Sequence, residues 1–187
     1  MDEITLIQRI KDGDATAWEP LILTYQEQVF RLAYLLTGDP DEAADIAQET
    51  FVRAWRHVAK FDASRPVRPW LLKIAVNLAR NQRRSVGRYL SALKRGFQEY
   101  PPNENDIESR SLIERQAADL WRAVQGLNHS DQQIIYLRFF LELSITETAQ
   151  ALTIAEGTVK SRLNRALIKL RKTIDEKDPA FFQGLAE

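Results

Sequence analysis

Residues 142–172, ELSITETAQALTIAEGTVKSRLNRALIKLRK, constrain this chain more than any other stretch. They predict two helices joined by a tight turn. Ser144 opens the first helix and Glu147 follows three residues later, the pairing that satisfies the free amides of a helix start. Ile145, Thr148, Ala149 and Leu152 then share one face at helical spacing. Thr153, Ile154 and Ala155 form the turn. The second helix is expected to bury Val159, Leu163, Ala166, Leu167 and Leu170, and no acidic residue occurs between Gly157 and Lys172. A capped helix, a short turn and a basic helix form a helix-turn-helix, whose second helix enters a DNA major groove. A basic amphipathic helix alone is commonly only a solvated face. Here the preceding helix, and Ser, Asn, Lys and Arg side chains able to reach base edges and phosphates, favour nucleic acid.

Composition excludes several classes. The 187 residues include no Cys and two His, His57 and His129, which removes disulfides and leaves a zinc site unsupported. No apolar run reaches the ~18 residues of a membrane span, and the acidic, amphipathic N-terminus is unlike a signal peptide. No Gly-rich phosphate loop or Ser, His and Asp set suggests catalysis, so neither an enzyme nor a cofactor is expected.

The formal net charge of +0 hides segregation. Residues 1–64 are mainly acidic. From 65 to 96 every charged side chain is basic: Arg65, Arg68, Lys73, Arg80, Arg83, Arg84, Arg88, Lys94 and Arg95. Residues 97–131 turn acidic before the basic last helix. Two basic blocks around an acidic, Pro-containing segment predict two anion-binding surfaces. The expected architecture is all-α: a helical domain over 1–96, a flexible linker over 97–111, and a helix-turn-helix domain over 112–187.

Within the first domain, Trp18, Leu21, Tyr25, Val29, Leu32 and Leu36 form a helical stripe. Asp39 and Pro40 then start a third helix. Its apolar face is expected at Ala44, Ala47, Phe51, Ala54 or Trp55, and Val58. Asp45, Gln48, Glu49, Val52, Arg53 and Arg56 occupy the remaining surface, either a solvated or a docking face. Lys60–Pro69 reads as an irregular, mobile loop. Its Phe61, Arg65 and Arg68 suit an unpaired base. Pro69 is expected to start a fourth helix with Trp70, Leu71, Ile74, Ala75 and Leu78 inward and Lys73, Asn77, Arg80, Asn81, Arg83 and Arg84 outward. In the second domain His129 or Ser130 is expected as a cap, and Ile134, Ile135, Leu137 and Phe139 as core.

Taken together, DEAADIAQETFVRAW, RPWLLKIAVNLARNQRR and LRFFLELSITETAQALTIAEGTVKSRLNRALIKLR resemble, in order and spacing, three segments of bacterial sigma factors of the extracytoplasmic-function (ECF) type in the sigma-70 family. The resemblance implies a factor that directs core RNA polymerase to promoters. Asp45, Gln48, Glu49, Val52, Arg53 and Arg56 would face polymerase. Lys60, Phe61, Arg65, Arg68, Lys73, Asn77, Arg80, Asn81, Arg83 and Arg84 would meet the melted minus-ten element. Thr158, Lys160, Ser161, Arg162, Asn164, Arg165 and Lys169 would read the minus-thirty-five element, with Arg138 on phosphate. It also implies an anti-sigma partner, able to hold the factor at the membrane, a cytoplasmic location, and neither a small-molecule substrate nor insertion into the bilayer. Departures from the family pattern are Thr153 in place of Gly, Ala155 in place of Ser, Asn81 in place of Asp and Asn164 in place of an aromatic residue or His. On the residues alone two other classes stay open: a helix-turn-helix regulator independent of polymerase, and a helical protein-interaction module.

Overall fold

Capping chemistry sets the first helix boundaries. In the computed structural model α1 spans Glu3–Lys11, α2 Trp18–Thr37 and α3 Pro40–His57. Gly13 (φ +92°) follows α1 and Gly38 (φ +76°) ends α2, both in the left-handed region that glycine tolerates. The Asp39 carboxylate accepts from the Asp41 and Glu42 amides, both at 2.9 Å, with Pro40 at the first helical position. The structure describes residues 3–93 and 112–176; for 82–93 and 112–116 only the backbone is described. The linker expected over 97–111 lies outside these residues. No strand occurs among the described residues.

The expected stripe of α2 is buried from Leu21 to Leu36, with Trp18 partly covered. In α3 the buried face is displaced. Ala43, Ile46, Thr50 and Ala54 point inward, Ala47 and Phe51 are half-buried, and Ala44 and Trp55 are exposed, Trp55 at 64%. Small residues let α3 approach α2 and α4 closely. The hydroxyl of Thr50 donates to the Ile46 carbonyl at 2.7 Å, which removes the penalty of burying it.

Helix α4, Val67–Leu93, starts two residues before Pro69. Proline is tolerated in this first turn because the amide there has no intrahelical partner. Leu71, Leu72, Ala75, Val76, Leu78 and Ala79 are all buried, wider than the single stripe expected. A helix apolar around most of its girth lies between two layers. Here α2 and α3 cover one side and the C-terminal helix Ile145–Leu152 covers another.

The C-terminal half comprises α5 (Leu112–Gln125), α6 (His129–Ile135), α7 (Ile145–Leu152) and α8 (Glu156–Asp175). Asn128, rather than His129 or Ser130, caps α6, accepting from the Asp131 amide at 3.0 Å. A π turn over Tyr136–Phe140 follows. Its extra residue rotates the chain relative to regular α-helix. Phe139, expected in the core, is therefore 56% exposed, and Phe140 packs on the core instead; Tyr136 is buried, with its hydroxyl accepting from Gln125 at 3.0 Å.

The helix-turn-helix follows the sequence closely. Glu147 N–H donates to Ser144 Oγ at 3.1 Å, and Ser144 N–H donates to Glu147 Oε2 at 2.8 Å. Thr153 takes the left-handed conformation (φ +56°) at the end of α7. Its amide bonds the Gln150 carbonyl at 3.2 Å, and the next amide bonds the Ala149 carbonyl at 3.0 Å. That is the Schellman pattern with threonine in the glycine position. Ala155 starts α8 without a side-chain cap. Val159, Ala166 and Leu170 are buried and Leu163 partly so, whereas Leu167, expected inside, is exposed.

Candidate nucleic-acid and partner interfaces

Three surfaces follow from these helix phases. The outer face of α3 presents Asp45, Gln48 and Arg56 to solvent, with Glu49, Val52 and Arg53 half-exposed. Arg53 Nε and Glu49 Oε1 pair at 2.7 Å, one turn apart. An exposed pair of this kind adds only about 0.3–0.5 kcal/mol to the helix, so both groups remain exchangeable for an external partner. Of the two alternatives for the inner face, Ala54 is buried and Trp55 is not: Trp55 stands beside this surface as an open aromatic, the type that anchors protein interfaces. The small residues Ala43 and Ala54 at α-helical spacing were the signal that would have found it.

The second surface surrounds the start of α4. Phe61 does not project as a free stacking platform. It is buried and lies on Trp70 with ring centroids 4.3 Å apart. Lys11 Nζ holds its carbonyl at 2.5 Å. The loop itself is stapled. Val58–Lys60 forms a 3-10 turn, and Asp62 accepts from the Ser64 amide at 3.0 Å and hydroxyl at 2.7 Å. Those Ser64 bonds, with Arg65 beside them, hold the Asp62 carboxyl below its ordinary value. Half-exposed Trp70 lines the cleft here with buried Phe61 beneath it, together with Lys60, Arg65 and Lys73. Asn77, Arg80 and Asn81 are exposed further along α4. The side chains of Arg83 and Arg84 lie outside the described residues.

Arg68 departs from its expected place. Its Nε donates to Gln28 Oε1 at 2.6 Å and its Nη2 donates to the Leu141 carbonyl of the C-terminal half. On the other side of that loop Arg138 Nη1 donates to the Leu143 carbonyl. Glu142, between the two gripped carbonyls, adopts φ +57°. Two guanidinium groups thus fix the loop that leads into α7. Arg138, expected on a DNA phosphate, serves this loop, and its Nε is buried with no hydrogen-bond partner.

The third surface is α8. Lys160, Ser161, Asn164, Arg165 and Lys169 are exposed, with Thr158 and Arg162 half-exposed beside them. Buried Val159 and Ala166 fix this orientation. Thr146 Oγ1 donates to Glu156 Oε1 at 2.7 Å and ties α7 to the first turn of α8. Arg162 lines a cleft with Asn77 and Arg80, so the two basic surfaces face each other across the junction of the halves. Among the described residues no group of His, Asp and Glu converges as a metal site, and no helix is long and apolar enough to cross a membrane.

Comparisons with known proteins agree with this layout. The model described as Sigma-70 region 2 matches residues 21–89, and that described as Sigma-70, region 4 matches 123–172. The ECF RNA polymerase sigma factor SigW of Bacillus subtilis is 31% identical over 176 residues, 90% of this chain and 94% of that protein. The RNA polymerase sigma-H factor of Pseudomonas aeruginosa is 32% identical over 179 residues, 91% of each. In fold, CnrH in its complex with the cytosolic domain of CnrY superposes with a TM-score of 0.69 at 23% identity, covering 93% of this chain and 97% of that one. The sigma factor RpoE bound to the anti-sigma factor NepR from Bartonella quintana superposes with a TM-score of 0.66 at 24% identity, covering 84% and 96%. Each matched region includes one of the two basic blocks, and the relatives align over nearly their full length. The chain therefore belongs to the ECF RNA polymerase sigma factors of the sigma-70 family.

Proposed function

We propose that this sigma factor engages polymerase and promoter through the three surfaces above. The α3 face, Asp45, Gln48, Glu49, Val52, Arg53 and Arg56 with Trp55, docks on core polymerase. Lys60, Arg65, Trp70, Lys73, Asn77, Arg80 and Asn81 hold the melted minus-ten strand, with Trp70 in the stacking role expected of Phe61. The exposed row Lys160, Ser161, Asn164 and Arg165 reads the minus-thirty-five duplex. Polymerase, in the bacterial cytoplasm, supplies the chemistry. The observation that carries this reading is the match of both sigma-70 regions to a chain whose polar rows on α3, α4 and α8 all lie outside the core of their own half.

The packed halves then have to separate. The two promoter elements lie about 25 base pairs apart, ~85 Å of B-DNA at ~34 Å per turn. A compact chain of 187 residues has a radius of gyration of only ~16 Å. Closed, it cannot span both elements, and the Arg68 bonds are among those that must break. An anti-sigma partner is proposed as the control on this step, able to hold the factor at the membrane. RpoE with NepR supports it by likeness of fold. The test of the polymerase surface is co-elution of the full chain with core polymerase. Asp45→Lys combined with Trp55→Ala should abolish co-elution while leaving the far-ultraviolet spectrum of the free chain unchanged. Retained co-elution refutes the assignment of this face.

A further inference from the structure

We propose that the cleft between the two halves binds a nucleoside di- or triphosphate, its phosphates bridging Arg80 and Arg162, and that the bound nucleotide holds the halves closed. Arg80 enters the cleft from α4 and Arg162 from α8. Neither guanidinium has an ion pair or hydrogen bond among the described residues, and no carboxylate among them lines the cleft. Two unpaired cations that face one cleft repel as the halves close, and an anion between them turns that contact attractive. A phosphate group suits the site, because guanidinium forks bind its oxygens in pairs. The volume, about 750 Å³, falls within the ~300–1,000 Å³ of small-molecule sites.

A second observation points to a ligand in the same place. Gln133 of α6 is 9% exposed and lines this cleft, yet its side-chain amide makes no hydrogen bond among the described residues. Its neighbour Gln132, also buried, donates to the Val124 and Gln125 carbonyls at 3.3 and 2.8 Å. A buried amide left without a partner is destabilising, and a ligand that bonds it accounts for a glutamine here. Asn77, one turn before Arg80 on α4, adds a second amide. Leu152 and Ile154 supply an apolar wall from the C-terminal half. Arginines for the phosphates, amides for the edge of a base and an aliphatic wall for its face are the parts a nucleotide site needs. Contacts from both halves exist only in the closed arrangement, so a nucleotide bound here shifts the chain towards it. Asn77 and Arg80 also belong to the promoter surface proposed above, so the loaded chain keeps them from DNA. Only that last consequence rests on the promoter reading.

The test is isothermal titration of the full chain with ATP, GTP and inorganic pyrophosphate, without added magnesium. ATP or GTP should bind at one per chain and more tightly than pyrophosphate. Arg80→Ala and Arg162→Ala should each weaken that binding at least tenfold, and Gln133→Met at least threefold. Arg80 is exposed, Arg162 is half-exposed and methionine keeps the volume of Gln133, so all three variants fold. Lys73→Ala removes a cation from the neighbouring cleft beside Trp70 and should leave nucleotide affinity unchanged. Irradiated 8-azido-ATP should label peptides from both halves of the parent chain, and excess ATP should prevent the labelling. Absence of saturable binding, or binding that survives Arg162→Ala or Gln133→Met, would overturn the proposal. Loss of binding in Lys73→Ala, or labelling confined to α4, would mean that the nucleotide only imitates promoter DNA and would overturn it too. Equal affinity for pyrophosphate would overturn the nucleotide assignment in favour of an inorganic polyanion.

Discussion

Replacing Thr153 with glycine should stabilise the protein. Thr153 sits at φ +56°, and its side chain is exposed, so little packing is lost with it. A non-glycine residue in the left-handed region costs about 1–2 kcal/mol. Glycine removes that strain but frees the unfolded chain by about 0.5–1 kcal/mol. The difference leaves a net gain of about 0.5–1 kcal/mol, which for a chain of this size raises Tm by about 1–4 °C. Thr153→Ala is the control. It removes the β-branch but keeps the left-handed strain of a residue with a Cβ, so it should gain much less. Urea unfolding followed by circular dichroism measures both, with the midpoint as the readout. A glycine variant no more stable than the parent, or an alanine variant that gains equally, would show that the Thr153 turn stores no strain.

Two further outcomes follow from the capping box and the interdomain contact. Burial alone pushes the Glu147 carboxyl up, but its bonds to the Ser144 amide and hydroxyl prevail and hold it below its ordinary value of 4.5. A depressed carboxyl stabilises the fold above its unfolded value and loses that contribution as pH falls through its folded one. Glu147→Gln should therefore cost about 0.3–1.5 kcal/mol at neutral pH, with the deficit shrinking below the ordinary 4.5; a deficit constant from pH 7 to pH 3 contradicts the reasoning. Arg68→Ala removes charged hydrogen bonds to Gln28 and Leu141, each worth about 1.5–3 kcal/mol. It should enlarge the radius of gyration measured by small-angle X-ray scattering, and an unchanged profile would show that apolar packing of α4 on α7 suffices.

Much of this fold was legible because local signals acted alone. The Ser144–Glu147 box, the Asp39–Pro40 start and the α2 stripe needed no tertiary information, and each stands as read. The errors arose where a second layer or an irregular turn decided. Helix α3 carries two adjacent apolar rows, and periodicity cannot tell which one meets α2 and α4. Leu72, Val76 and Ala79 lie outside the single stripe that periodicity predicts, because two layers cover α4. The π turn shifts phase by one residue, placing Phe140 on the core where Phe139 is expected. Among site residues, the exposed row of α8 was legible from its buried partners. Phe61 and Arg68 were not, because an aromatic or cation in a Pro-containing loop reads the same whether it faces DNA or its own protein.

Transcription on genomic DNA by core polymerase, with and without this chain, tests its role most directly when the RNA 5′ ends are mapped. The factor should create new start sites that share sequence at two upstream positions. Arg165→Ala should relax only the more distal one, through the loss of about 1–3 kcal/mol at one or two base pairs. Identical 5′ ends with and without the chain would contradict its role as the promoter-selecting factor, and relaxation at the proximal position would contradict the orientation of α8.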